Sequence, residues 1–187
     1  ELKNNRIAYA VTEIYDMGGH SKCLKNLVKS LDQKYQQKLF FSQIDRSQIF
    51  APKTYDQINK FAEMSGVNFN PEKLHEFDQK VDDLLREITV FSPKALLVYI
   101  HPDDVVFTAV IALLQKQTDI KIIFFNHSFR PNLAMNFADL VIEYNPGDIF
   151  HSRKFRNINN NQLIKLQSLK KDETIYFSSQ DIQKKRQ

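Results

Sequence analysis

The stretch between Arg6 and Leu31 constrains the fold more than any other. Arg6-Ile-Ala-Tyr-Ala-Val-Thr12 is a short apolar run of small and β-branched residues, the pattern of a buried strand. Tyr15-Asp-Met-Gly-Gly-His-Ser21 interrupts it with two adjacent glycines. Leu24, Leu27, Val28 and Leu31 then recur at helical spacing, which is the apolar stripe of an amphipathic helix. Ser21 stands where an N-cap is expected, its hydroxyl available to an amide of the first turn. Strand, glycine turn and helix, in this order, open a doubly wound α/β domain. The glycines let a ligand approach the backbone, and the helix N-terminus favours negative charge. A tight turn that serves only the fold has the same pattern.

The alternation continues along the chain. Residues 38–43 read as a second strand. The pattern weakens from 44 to 70, with a short helix expected around 55–64, ended by Ser65-Gly66, and a third, short strand at 67–69. Pro71 is expected to open a helix whose stripe is Leu74, Phe77, Val81, Leu84, Leu85 and Ile88, stopped by Ser92-Pro93. Residues 95–100 and 120–125 are the fourth and fifth strands, separated by a helix at 105–117 that Asp103 or Asp104 caps. A connecting segment at 129–138 leads to a sixth strand at 139–144, and Asp148 caps a last short helix toward Phe155. Residues 163–169 add an edge strand, and 178–186 begin another helix. Near-continuous apolar strands alternating with helices predict a mainly parallel sheet covered on both faces. The expected class is a Rossmann-like, doubly wound α/β fold in three α/β/α layers.

The 187 residues, 42% hydrophobic and 26% charged, suffice for one well-buried domain with some length over. No apolar run approaches the roughly 18 residues of a membrane span, and nothing resembles a signal peptide. A single cysteine, Cys23, leaves no internal disulfide and fits a reducing cytoplasm. Because the chain opens on Glu1, the expectation is a fragment or a processed protein. The net charge of +4 is unevenly placed: residues 151–187 hold nine Lys and Arg against three Asp and Glu, which leaves the first 150 residues at −2. A basic tail of this kind either touches anionic lipid or a partner or, as most such runs are, is simply solvated. It does not make the folded basic face of a nucleic-acid-binding domain.

The unusual residues fall at the predicted carboxyl ends of strands. Gly18, Gly19 and His20 follow the first; His101, Asp103 and Asp104 follow the fourth; Asn126 and His127 follow the fifth; Asn145 and Gly147 follow the sixth. With the usual strand order these loops converge on a single crevice. The glycines do not complete a dinucleotide fingerprint, because His20 and Cys23 occupy its later glycine positions. Ser42 or Gln43 stands where that fingerprint needs an acid, and no P-loop is present either. No nicotinamide cofactor is therefore expected. His101, Asp103, Asp104 and His127 have the donor chemistry of a metal site, but helix capping accounts for the aspartates more simply, and no metal is expected. Cys23 lies in a helix first turn, which lowers a thiol's pKa, yet it also adjoins the apolar stripe, and a packed cysteine is expected. His75 and His151 read as surface residues. His127 is the leading functional group, since imidazole exchanges protons near neutral pH and a strand end holds it firmly. The alternative is a structural histidine bonded to a nearby backbone carbonyl.

Ile7-Ala-Tyr-Ala, leading to Met17-Gly-Gly-His-Ser and the helix at 21–31, resembles the opening of GT-B glycosyltransferases, in particular family 4 (group 1) members. Ile122-Ile-Phe-Phe-Asn-His-Ser128, followed by Ala138-Asp-Leu-Val-Ile-Glu143, is similar to their strand ending in histidine and the aspartate-led strand after it. The tail, at 163–169 and in Ser179-Gln-Asp-Ile-Gln-Lys-Lys-Arg186, resembles their crossing into a second domain. The resemblance implies a Rossmann-like N-terminal, acceptor-side domain over 1–156. A linker and edge segment over 157–187 would lead to an absent C-terminal donor-binding domain. The implied enzyme is a bacterial cytoplasmic hexosyltransferase of cell-envelope polysaccharide biosynthesis, touching the inner face of the membrane peripherally. It would move a sugar from a nucleotide-sugar donor, a substrate and not a cofactor, to a glycan or lipid-linked acceptor. Gly18 and Gly19 would line the cleft near the donor phosphates, with His20, Asn126, Asn145 and Gly147 around them. His127 would face the reacting sugar, and His101 is a second catalytic candidate. The isolated half is expected to be inactive. Two other readings stay open: a metal- or cysteine-dependent hydrolase using His101, Asp103 and Cys23, and a non-catalytic flavodoxin-like interaction module.

Overall fold

The computed structural model describes residues 5–128, 130 and 132–144, and the backbone of Leu163–Lys165. Its strands are β1 (Arg6–Val11), β2 (Gln36–Phe41), β3 (Glu63–Gly66), β4 (Ala95–Tyr99), β5 (Lys121–Asn126), β6 (Leu140–Glu143) and β7 (Leu163–Lys165). The helices are α1 (Gly19–Leu31), α2 (Ile44–Phe50), α3 (Pro52–Asn59), α4 (Phe77–Phe91) and α5 (Val105–Gln117), with 3-10 turns at Leu74–Glu76 and Leu133–Phe137. The strands form one sheet in the order β3-β2-β1-β4-β5-β6-β7, every neighbouring pair parallel. This is the doubly wound α/β fold expected from the alternation, and β7 joins the same sheet at its edge.

Successive side chains on a strand point to opposite faces, so each buried strand feeds two cores. Ala8, Ala10, Leu96, Val98, Ile122 and Phe124 face α4 and α5, where Leu84, Ile88, Phe107 and Val110 meet them. Tyr9, Val11, Leu39, Phe41, Leu97 and Tyr99 face the other way, onto Leu24 and Val28 of α1 and Ile58 of α3. The Leu133–Phe137 turn packs on α5, which is why that helix is apolar nearly all round. Asp139 latches β6 to β5 at their starts: its Oδ2 accepts from the Ile122 amide at 2.8 Å, and its own amide donates to the Ile122 carbonyl at 2.9 Å.

Several local expectations are corrected. Ser21 is not the N-cap of α1. Gly18 is, with φ 137°, while the Ser21 hydroxyl turns back to accept the Tyr15 amide at 2.8 Å. β2 begins at Gln36, because the buried Gln37 amide is satisfied: it accepts from Tyr9 Oη at 2.5 Å and donates to the Val28 carbonyl at 2.9 Å. The weak region holds two helices, α2 and α3, joined at Ala51 with Pro52 opening the second. β3 lies at Glu63–Gly66, not at 67–69, whose residues instead pair irregularly with the end of β2 through the Gln43–Asn68 bridge. Gly66 ends this strand and no helix. A Cβ there would collide with the Phe41 backbone, so close approach of β3 to β2 requires glycine. Pro71 precedes a turn, and the helix proper starts only at Phe77. Ser92, in the left-handed region at φ 51°, closes α4 as its Ser-Pro pair predicted. The expected segments beyond 144, other than β7, lie outside the described residues.

Candidate functional site

Strand order reverses between β1 and β4, and the residues after these strands sit at that switch point. One buried carboxylate organises it. Asp104 caps α5, its Oδ1 accepting from the Phe107 amide at 3.0 Å. Its Oδ2 accepts from Thr12 Oγ1, after β1, and from Ser42 Oγ, after β2, each at 2.6 Å. Thr12 Oγ1 in turn accepts the His101 amide at 2.9 Å. Three strand ends are thus tied to one side chain. Burial pushes the Asp104 pKa up, against the pull of the two hydroxyls and the amide.

The predicted crevice is divided into separate recesses. In the first, of about 240 Å³, Gly19, His20, Cys23, Tyr99, His127 and Tyr144 meet. The imidazoles of His20 and His127 stack at 4.0 Å between centroids and 29° between planes. His20 also lies against Tyr99, which stacks on Phe125 at 4.5 Å, so four rings form a continuous pile. Burial, then the neighbouring His127 and His101, hold His20 down to about 3, a bond to the Tyr99 backbone opposing them. His20 Nε2 is buried and has no hydrogen-bond partner among the described residues. Burial also lowers His127, whose Nδ1 lies 3.1 Å from the Phe125 carbonyl. That contact is favourable only when Nδ1 carries the proton, which leaves Nε2 of the neutral ring as an acceptor.

Gly18 and Gly19 part company here. Gly18 lines a small recess beside Tyr15 and Lys22, whereas Gly19 opens on the histidine pair, with empty space where any other residue would carry its Cβ. The loop carrying them is fastened at both ends of its arc, by the Tyr15 amide on Ser21 and by Asp16 Oδ1, which accepts the Thr54 amide of α3 at 2.9 Å. Asn126 does not line the histidine recess. It is buried, donates to Glu143 Oε2 at 2.7 Å and accepts the Ser128 amide at 3.4 Å, which shapes the turn presenting His127. Cys23 is exposed, contrary to the packed cysteine expected. His75 is on the surface as expected. Asn145, Gly147 and His151 lie outside the described residues.

His101 belongs to a second recess of about 660 Å³, which it lines with Thr12, Glu13, Ser42 and Arg46. Its ring lies parallel to Tyr15, 6° between planes and 6.1 Å between centroids, and its Nδ1 is 3.8 Å from Glu13 Oε1. Glu13 is buried, accepts from Tyr15 Oη at 2.5 Å and faces Arg46 Nε at 2.9 Å. Burial and the Glu13 carboxylate push Tyr15 up to about 12. Sequence reading missed Glu13, Tyr15 and Arg46. Glu13 directly follows the first strand, a position that should have flagged it; Arg46 lies on α2, where the pattern was too weak to read. The hydrolase set is not assembled, since Cys23 sits with His20 and His127 while His101 and Asp103 line the other recess. Among the described residues no three His, Cys, Asp or Glu side chains gather as a metal site, and no helix is long and apolar enough to cross a membrane.

No protein-family model matches this chain, and no curated protein sequence matches it. Solved structures do. The apo form of a lipopolysaccharide outer core galactosyltransferase, WaaB, superposes with a TM-score of 0.64 at 15% identity, over 85% of this chain and 44% of that one. A glycosyltransferase from Rickettsia africae ESF-5 gives 0.62 at 10% identity, over 88% and 43%. MurG of Acinetobacter baumannii gives 0.59 at 9% identity, over 86% and 45%. The chain spans under half the length of each, and what it shares with them is the fold.

Proposed function

We propose that this chain is the acceptor-side half of a glycosyltransferase that moves a sugar from a nucleotide donor to a glycan or lipid-linked acceptor. The observation that carries the reading is the open face of Gly19 beside the neutral His20–His127 pair, at the N-terminus of α1, in a fold shared with three glycosyltransferases. In the reaction, the anomeric carbon–oxygen bond to the donor phosphate breaks and the diphosphate leaves with the electron pair. A bond to the acceptor oxygen forms, and the acceptor hydroxyl's proton passes to the departing diphosphate, directly or through solvent. The unpaired amides of the first turn of α1 would face the departing charge, an arrangement worth most where water is excluded. His127 Nε2 would accept a hydroxyl of the transferring sugar. The scheme uses no metal or cofactor, and a second domain would grip the nucleotide. A cytoplasmic enzyme touching the membrane peripherally, in cell-envelope synthesis, fits this reading.

Full-length protein carrying this chain is expected to release nucleotide from a uridine, guanosine or cytidine diphosphosugar during transfer. His127→Ala should lower turnover by about 10² with little change in thermal melting, as for a positioned group acting in the transition state. Failure to turn over any of the three donor classes refutes the reading. Unchanged turnover in the variant makes His127 structural and passes its role to His20 or His101.

A further inference from the structure

The face that carries α1 and α3 concentrates positive charge that the chain does not pair. The two helices lie side by side and run in the same direction. Asp16, just before α1, accepts the Thr54 amide near the start of α3. Midway, Lys25 Nζ donates to Gln57 Oε1 at 2.9 Å, and beyond them the buried Gln37 amide donates to the carbonyls of both Val28 and Phe61. At about 100° per residue, Lys22, Lys25 and Lys29 form one row on the α1 flank that meets α3. Lys53, Gln57 and the C-cap Lys60 form the facing row. Lysines thus border both sides of a groove about 10 Å long from Lys22 to Lys29. Among the described residues none of these lysines is in an ion pair, and Asp56, on the outer face of α3, pairs with none of them. Like charges set against each other oppose folding. The first 150 residues sum to −2, so composition does not account for the cluster. The rest of the groove is hydrophilic. At its head Lys22, Lys25 and Asn26 share a recess of about 190 Å³ with Gly18 and Thr54, beside the glycine loop. Neither row holds an apolar anchor for a protein or a bilayer, nor an aromatic platform for bases. Ammonium groups beside carboxamides suit a hydroxylated anion.

We propose that the groove between α1 and α3 is a glycan-binding site outside the crevice, for a glycan that carries repeated negative charges. The proposal rests on the glycosyltransferase reading above and narrows its glycan to an anionic one. The lysines take the charges, and the Gln57 and Asn26 amides take sugar hydroxyls. Because Gly18 stands at the head of the groove, a bound chain has one end at the glycine loop and its length along the helix pair.

The test uses the 187-residue chain, isotope-labelled for amide NMR and titrated with a galacturonate hexamer, a heparin hexasaccharide and, as neutral comparator, maltohexaose. At least one anionic probe is expected to shift the Lys22, Lys25, Lys29, Gln57 and Lys60 amides saturably, while maltohexaose at the same concentration moves none. Salt at about 1 M, where the Debye length is about 3 Å, should weaken that binding about tenfold or more. Lys29→Gln/Lys60→Gln should also weaken it about tenfold, and should melt no lower than the parent because it relieves repulsion. Lys94→Gln/Lys116→Gln removes the same charge from exposed positions elsewhere and should change binding by about twofold at most. No saturable shift with either anionic probe overturns the proposal, as do equal shifts with maltohexaose or equal weakening by the two double variants. Tighter binding of hexaglutamate or of phosphatidylglycerol vesicles also overturns it, giving the groove to an acidic protein or to lipid. The transfer assay on the full-length protein judges the enzyme reading separately. Transfer without glycan binding here sinks the groove alone, and glycan binding without transfer leaves a glycan site while sinking the enzyme.

Discussion

Gly18 and Gly19 are adjacent yet glycine for different reasons. At φ 137° Gly18 has a backbone that L side chains rarely adopt, and Gly18→Ala should cost about 1–3 kcal/mol, read as a lower melting temperature. Gly19 has helical backbone and open space around it, so Gly19→Ala should leave melting unchanged or gain up to about 1 kcal/mol of helix propensity. On the proposed function, the same methyl should weaken donor binding in the full-length protein. Equal melting shifts in the two variants would contradict this division. His20 supplies a pH signature. Its folded pKa lies well below the ordinary histidine value, so between about pH 6.5 and 3 the unfolded chain binds more protons than the native one. Stability should therefore fall as pH drops through that window, by about 2 kcal/mol between pH 6.5 and 4.5. Asp104, raised by burial, contributes the opposite slope, so the comparison that isolates the histidine is with His20→Gln. Denaturant melts of that variant should show a flatter acid limb; an unchanged limb would remove His20 as its source.

At the scale of elements, Asp104 joins α5 to the ends of β1, β2 and β4. Asp104→Ala deletes the partner of two hydroxyls and a helix amide, all in or near the core, and should destabilise by about 3–5 kcal/mol. Asp104→Asn keeps an oxygen for the Phe107 amide, and the hydroxyls can turn to accept from its NH2, so about 1–2 kcal/mol is expected. Urea denaturation of both variants checks the ranking. If alanine and asparagine prove equivalent, the oxygen that asparagine keeps for the Phe107 amide and its bonds to the two hydroxyls contribute nothing, and the ranking fails.

For the whole molecule, two cores on opposite faces of one parallel sheet give the chain enough buried surface to fold by itself. The proposed division of labour leaves it without the groups that grip a nucleotide. It should melt cooperatively, show no sugar transfer, and bind nucleotide sugars no tighter than roughly millimolar, about −4 kcal/mol. Titration calorimetry with uridine, guanosine and cytidine diphosphosugars measures this. A micromolar constant for any of them would place the donor site in this half.

The sequence alone determined the architecture, because near-continuous apolar strands and helical stripes are local patterns that a buried parallel sheet imposes residue by residue. It placed β1, β4, β5 and β6 to within about two residues, and it made the carboxyl-end loops, with His20, His101 and His127, the places to look. Where polar residues are satisfied by distant partners the pattern misled: Gln37 inside β2 depends on Tyr9 and the Val28 carbonyl, and β3 depends on how closely Gly66 meets Phe41. Only the tertiary structure decided which loop residues share a recess. Strand order and side-chain direction set His20 against His127 and turned His101 toward Glu13 and Arg46, residues far apart along the chain. Those are long-range distances, and a pattern of neighbours does not encode them.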